Sequence, residues 1–184
     1  MWASKNKYTT NPNQANGFTI VELLIVIAVI AILAAITIVA YNGIQNRAND
    51  SAVQSDLRNL GMKIKEQEAT NGNLPAGSGS NGIAGIPKFS PAKSSYSPAH
   101  NNIDYCTGTV SGTAKFAIAA VSRSGTKYVY SSDTGASIYT GSWGPGAGDS
   151  GTICPGIGVP TSSPGYSMGY GFSVGGGGWF GWTN

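Results

Sequence analysis

The chain has 184 residues and a formal charge of +3, and its charged side chains, 10% of the total, are scattered singly. That length predicts one domain with one modest core, and the absence of a basic patch leaves no direct signal for a nucleic-acid partner. A metal site finds little support: Cys106 and Cys154 each lack a nearby Cys or His, so their spacing matches no zinc pattern.

Residues 1–17 are polar, carry Lys5 and Lys7, and contain no acid. A conventional secretory signal places its apolar stretch before the cleavage site and ends in small residues. Here the polar stretch comes first, and the two lysines favour a cytoplasmic N-terminus with the rest of the chain outward. An uncleaved signal anchor would have the same orientation.

An apolar run follows from Phe18 to Ala40, free of proline and glycine, and its only ionisable side chain is Glu22. About 20 apolar residues cross a bilayer core, so the run is long enough to span. A carboxylate in such a run is costly, because hydrocarbon cannot replace its hydration, and it needs a cationic partner. A plain membrane anchor gains nothing from it. Ala28, Ala31, Ala34, Ala35 and Ala40 thin parts of the surface, so that helices could approach closely.

The segment Gly17-Phe18-Thr19-Ile20-Val21-Glu22-Leu23-Leu24-Ile25 resembles the prepilin signature of the type IV pilin family. The resemblance is specific from Gly17 to about Tyr41 and looser along the helix to about Gly72. It implies a basic leader, residues 1–17, removed by a prepilin peptidase that cuts between Gly17 and Phe18 and methylates the new N-terminus. It also implies that Glu22, fifth residue of the processed chain, neutralises the Phe18 amine of a neighbouring copy in a filament.

Beyond the apolar run the helix is expected to continue. From Ile44, the positions Ala48, Val53, Leu57, Leu60 and Ile64 recur at the spacing of one helical face, while most charged residues occupy the other. Asn71-Gly72-Asn73-Leu74-Pro75 supplies the stop, with a C-cap glycine and a proline that bars continuation. The expected helix over residues 18–71 divides into a membrane or filament core (18–40) and an amphipathic half (41–71). It would be about 80 Å long at about 1.5 Å per residue. Gly43 and Gly61 are its weak points, each costing up to about 1 kcal/mol relative to alanine.

Residues 72–184 are expected to form a globular head. Ala76–Pro98 is rich in Gly, Ser, Pro and Asn and reads as an irregular loop. Short β-branched or aromatic runs follow at Ile103–Thr107, Lys115–Val121, Thr126–Tyr130 and Ala136–Thr140, bounded by turn residues. The gaps are too short for crossover helices, so the sheet should be antiparallel, with the amphipathic half of the helix as its cover. The fold class is thus α+β: a long N-terminal helix packed by its second half on a small antiparallel sheet. Gly141–Asn184 is dense in glycine with aromatic residues interleaved, among them Trp179, Phe180 and Trp182. Those rings either pack on the head or a neighbouring subunit, or form an adhesive patch.

Cys106 and Cys154 are open to two readings, a disulfide outside the membrane or two buried free thiols. A bridge would stabilise the head by about 2–4 kcal/mol, and the resemblance to pilins, where a disulfide commonly closes a C-terminal loop, implies the bridge. Nothing in the chain assembles a catalytic set. His100, the only histidine, sits in a Ser/Pro/Asn-rich loop, and no serine or cysteine has a recognisable base and orienting group. Gly146–Gly151 fits Gly-x-Gly-x-x-Gly by letter but is expected to lack the strand before it and the helix after it that give that motif its meaning. Asp104, Asp133 and Asp149 stand singly, short of a calcium site. Asn49-Asp50-Ser51 matches a glycosylation acceptor by letter but falls in the expected helix. No enzyme activity, cofactor or metal is therefore expected.

The resemblance implies a structural subunit of a surface filament, held first in the cytoplasmic membrane and then polymerised outside the cell, with roles such as adhesion, motility or DNA uptake. Its partners would be further copies of itself, the prepilin peptidase/methylase, the pilus assembly machinery of the membrane, and a host or abiotic surface. Minor pilins and secretion pseudopilins share the same start. A membrane-tethered binding domain is the more remote alternative.

Overall fold

The computed structural model describes residues 17–77, 82–86, 88–98, 102–142, 150–159, 166–167, 170–173 and 176–179, with side chains described only up to residue 159. Helix α1 runs without a break over Ile20–Asn71, 52 residues. The chain divides into two compact units, Met1–Asn42 and Gly43–Asn184.

The first of these units holds the apolar start of α1. Its large apolar side chains, from Ile20 through Val39, are exposed on every side. It is long and apolar enough to cross a membrane.

The second unit is built on four main strands: β1 (Ile103–Val110), β2 (Thr113–Val121), β3 (Lys127–Ser131) and β4 (Gly135–Ile138). A short helix α2 (Ser150–Gly156) and three short strands follow, β5 (Tyr166–Ser167), β6 (Tyr170–Ser173) and β7 (Gly176–Trp179). The main sheet is antiparallel in the order β4-β3-β2-β1-β5, and β6 and β7 form a separate two-stranded sheet. The α+β class and the antiparallel sheet are as the sequence predicts. Strand β1 is longer than expected, because Ser111 and Gly112 close a two-residue hairpin in register Val110↔Thr113. Both have positive φ, 51° and 80°, which is the twist that two-residue hairpins need.

Alternation along the strands sorts two faces. Tyr105, Phe116, Ile118, Tyr128 and Tyr130 face Val53, Leu57, Leu60 and Ile64 of α1 in one core. The rings of Tyr105, Phe116 and Tyr130 follow one another at centroid distances of 6.5 and 6.1 Å. Of the helix positions expected to face the sheet, Ile44 and Ala48 are exposed instead. The segment expected as a loop is irregular but not peripheral. Ile83, Ile86, Phe89 and Tyr96 are buried in the same core, and Lys93–Ser95 forms a single 3-10 turn.

Asp56 of α1 ties that segment down, accepting hydrogen bonds from the Ala92 amide at 2.8 Å and the Tyr96 hydroxyl at 3.0 Å. At the other end of the segment Tyr105 donates its buried hydroxyl to the Pro75 carbonyl at 2.8 Å, fixing the chain where it leaves the helix. Gly72, at φ 75°, ends α1 as the expected C-cap.

Gly61 has a reason that composition alone does not reveal. A Cβ there would fall inside the ring of Tyr130, so its absence lets the sheet approach the helix. Gly43 meets nothing within 4 Å. Helix α2 is a correction to the sequence reading, which places no helix after Gly141. Its residues, Ser-Gly-Thr-Ile-Cys-Pro-Gly, are poor helix formers, and burial of Ile153 and Cys154 holds it in place. This helix starts within the last two of the Gly-x-Gly-x-x-Gly letters and is only seven residues long.

Two outcomes test this packing. Gly61→Ala gains helix propensity of up to about 1 kcal/mol but overpacks against Tyr130, at a cost of about 1–3 kcal/mol. The full chain in detergent should therefore show a lower urea midpoint, whereas Gly43→Ala should not lower it. Separately, burial holds Asp56 above the ordinary carboxylate range, against the pull of its two hydrogen bonds. A carboxyl with a raised folded-state pKa stabilises the fold below its ordinary pKa, and that contribution is lost as pH rises through the raised value. Asp56→Asn keeps an acceptor without the charge, so it should remove this acid-side slope from urea midpoints measured between about pH 3 and 7.

Candidate functional site: the N-terminal turn and the stapled sheet

Gly17, Phe18 and Thr19 precede the helix as non-helical chain. Phe18 is 91% exposed. Its nitrogen is here a peptide nitrogen and carries no charge. Glu22 lies in the first turn of α1 and does not reach for Phe18. Its Oε2 accepts from the Thr19 amide and from the Thr19 hydroxyl, each at 2.8 Å. In return Thr19 Oγ1 accepts from the Glu22 amide at 3.2 Å.

This reciprocal arrangement is a capping box, Thr-x-x-Glu, in which two orphan N–H groups of the helix start are satisfied at once. The Thr19 carbonyl accepts the first intrahelical bond, from Leu23 N at 3.3 Å, which makes Thr19 the N-cap. The negative side chain also sits where the helix dipole favours it. Both side-chain bonds fall on Oε2, so Oε1 keeps its acceptor capacity for another donor. Thr19 is the residue of this turn that the sequence reading misses, and the signal that finds it is present: a threonine three residues before a glutamate at the head of an apolar run.

Far along the chain, Cys106 of β1 and Cys154 of α2 form a disulfide with a Cα–Cα distance of 5.6 Å across 48 residues. The bridge lies on the sheet face away from α1, buried with Ala117, Val129, Tyr139 and Val159. The cross-strand neighbour of Cys106 is Ala117, whose small side chain leaves room for the bridge. Tyr139 lies between Gly141 and Gly156, at both of which a Cβ would collide with its hydroxyl end.

Asp133 pairs with Lys115, and Asp104 is buried on β1. Among the described residues no three of His, Cys, Asp or Glu gather into a metal-binding group. Lys5, Lys7, His100, Asp149, Phe180 and Trp182 lie outside the described residues, as does the side chain of Trp179.

Removing the bridge with Cys106→Ala and Cys154→Ala should lower stability by about 2–4 kcal/mol, the loss expected when a loop of this length is opened. Urea unfolding of the full chain with and without reductant checks it: the variant should match the reduced wild type and not respond to reductant.

Comparison with known proteins bears on the N-terminal turn. The family model described as the prokaryotic N-terminal methylation motif matches residues 12–38. The type IV wide pilus major component PilA4 of Thermus thermophilus is 48% identical over 59 residues, which is 32% of this chain and 44% of that protein. The chain thus matches less than half the length of that relative. No solved structure matches the chain significantly. Residues 12–38 thus match the prokaryotic N-terminal methylation motif, and over 59 residues the chain is similar to a type IV pilus component.

Proposed function

We propose that this chain is a structural subunit of a type IV pilus, cut after Gly17, methylated on Phe18 and polymerised into a helical surface filament. The observation that carries the reading is an apolar helix, exposed from Ile20 through Val39, that starts with one hydrogen-bonded carboxylate, Glu22, inside the methylation motif. The role is structural rather than catalytic. The match to a major pilus component favours a major subunit over a minor pilin or a secretion pseudopilin.

The precursor sits in the cytoplasmic membrane with Lys5 and Lys7 inside. Cleavage creates an amine on Phe18 that is cationic near neutral pH. In a bundle of apolar helices that cation and the Glu22 carboxylate are each badly placed, and an unpaired buried charge costs about 3–5 kcal/mol. Pairing the amine of one copy with Glu22 of the next offsets both. Such pairing sets axial register, since sliding by a turn breaks it. A head-to-tail contact of this kind does not close on itself, and repetition gives a filament. Adhesion, motility and DNA uptake are the uses such a filament would serve, with the peptidase/methylase, the membrane assembly machinery and an external surface as its partners.

Two measurements test the reading. The intact mass of protein sheared from the cell surface, unreduced, should equal Phe18–Asn184 plus one methyl and less two hydrogens. A full-length mass confined to membranes would instead mark a tethered domain. Glu22→Ala should give a processed, membrane-held protein with few filaments; normal filament yield would remove the role assigned to Glu22.

A further inference from the structure

We propose that Thr19 is a positioning residue for the cleavage: by capping α1 it keeps the Gly17–Phe18 peptide bond in non-helical chain, where a peptidase can engage it. The inference rests on the reading that the chain is cut there.

Helix α1 begins at Ile20, and the three residues before it are not helical. Phe18, on the far side of the scissile bond from the leader, is almost fully exposed. The Thr19 side chain takes the Glu22 amide, and the Glu22 carboxylate takes the Thr19 amide. An amide bonded to a side chain in this way is withheld from the backbone ladder, so the helix does not grow past it.

Were it to grow by one turn, with its cap three residues earlier, the Thr19 amide would become a donor for the new cap, and the Gly17 carbonyl would accept from the Val21 amide. The carbonyl to be attacked would then be engaged in a helical hydrogen bond and flanked by the helix wall. The sequence offers a ready alternative stop. Asn16, three residues before Thr19, is a residue type that caps well. A helix capped at Asn16 would take in Gly17 and Phe18 as its first residues and enclose the bond. Thr19 therefore decides on which side of the helix start the scissile peptide lies. The N-terminal methylation motif matched over residues 12–38 spans this turn.

The test compares full-length chains in membranes with a prepilin peptidase, following the appearance of the Phe18-start product by intact mass. Thr19→Val keeps the shape of the side chain but removes its acceptor, whereas Thr19→Ser and Thr19→Asn keep a capping oxygen. The valine variant should be cut about five-fold more slowly, the population shift expected from losing a cap, and the serine and asparagine variants at close to the wild-type rate. Urea midpoints of the uncut chains should be the same for all.

Two results would overturn the inference while the wild type is cut normally. One is a valine variant that keeps pace; the other is an asparagine variant as slow as valine, which would mean that the enzyme reads the shape of threonine. A wild-type chain that retains Gly17 would overturn the cleavage reading and this inference with it.

Discussion

From Ile20 to Val39 helix α1 presents large apolar side chains in every direction, and they are exposed. A helix apolar all round has no face to turn to water. Its surface is compatible with hydrocarbon or with copies of itself, and in either setting the backbone is satisfied because the helix is unbroken. The absence of glycine and proline between Phe18 and Tyr41 serves that requirement, since a break would expose polar groups where nothing could meet them.

One carboxylate departs from this logic, and its handling gives the N-terminus its character. Glu22 is not left as a bare charge at the head of the apolar run. It is folded back on Thr19 and completes the helix cap with one oxygen while the other retains acceptor capacity. The same group can therefore hold its own helix start and receive a cation from elsewhere. Within this turn the hydrogen bonds between Thr19 and Glu22 organise the start of α1.

The same helix changes role after Gly43. Its apolar side chains narrow to one stripe, Val53, Leu57, Leu60 and Ile64, and these are fully buried under the sheet and the segment through Ile83 and Tyr96. The sheet is covered on its other face by the Cys106–Cys154 bridge and α2. A head of this size has limited apolar surface to bury, and here the helix stripe, an irregular segment and a covalent staple all contribute. Packing is close enough that Gly61 and Gly141 are set by the rings of Tyr130 and Tyr139.

The sequence by itself determined the features that depend on local pattern: the apolar run with its single acid, the long helix and its stop at Gly72, the amphipathic stripe, and most of the antiparallel strands. These follow from periodicity and punctuation, which act over a few residues. Only the tertiary structure decided what depends on long-range burial or on exact geometry. The bridge chose disulfide over free thiols because β1 and α2 meet across 48 residues. Helix α2 forms against its own propensities because Ile153 and Cys154 are buried there. The irregular segment became core where Asp56 of α1 and Tyr105 of β1 tie it down from elements remote in sequence. Thr19 stands between the two classes: its motif is legible in four letters, but that Glu22 bonds to Thr19 is a fact of three-dimensional geometry.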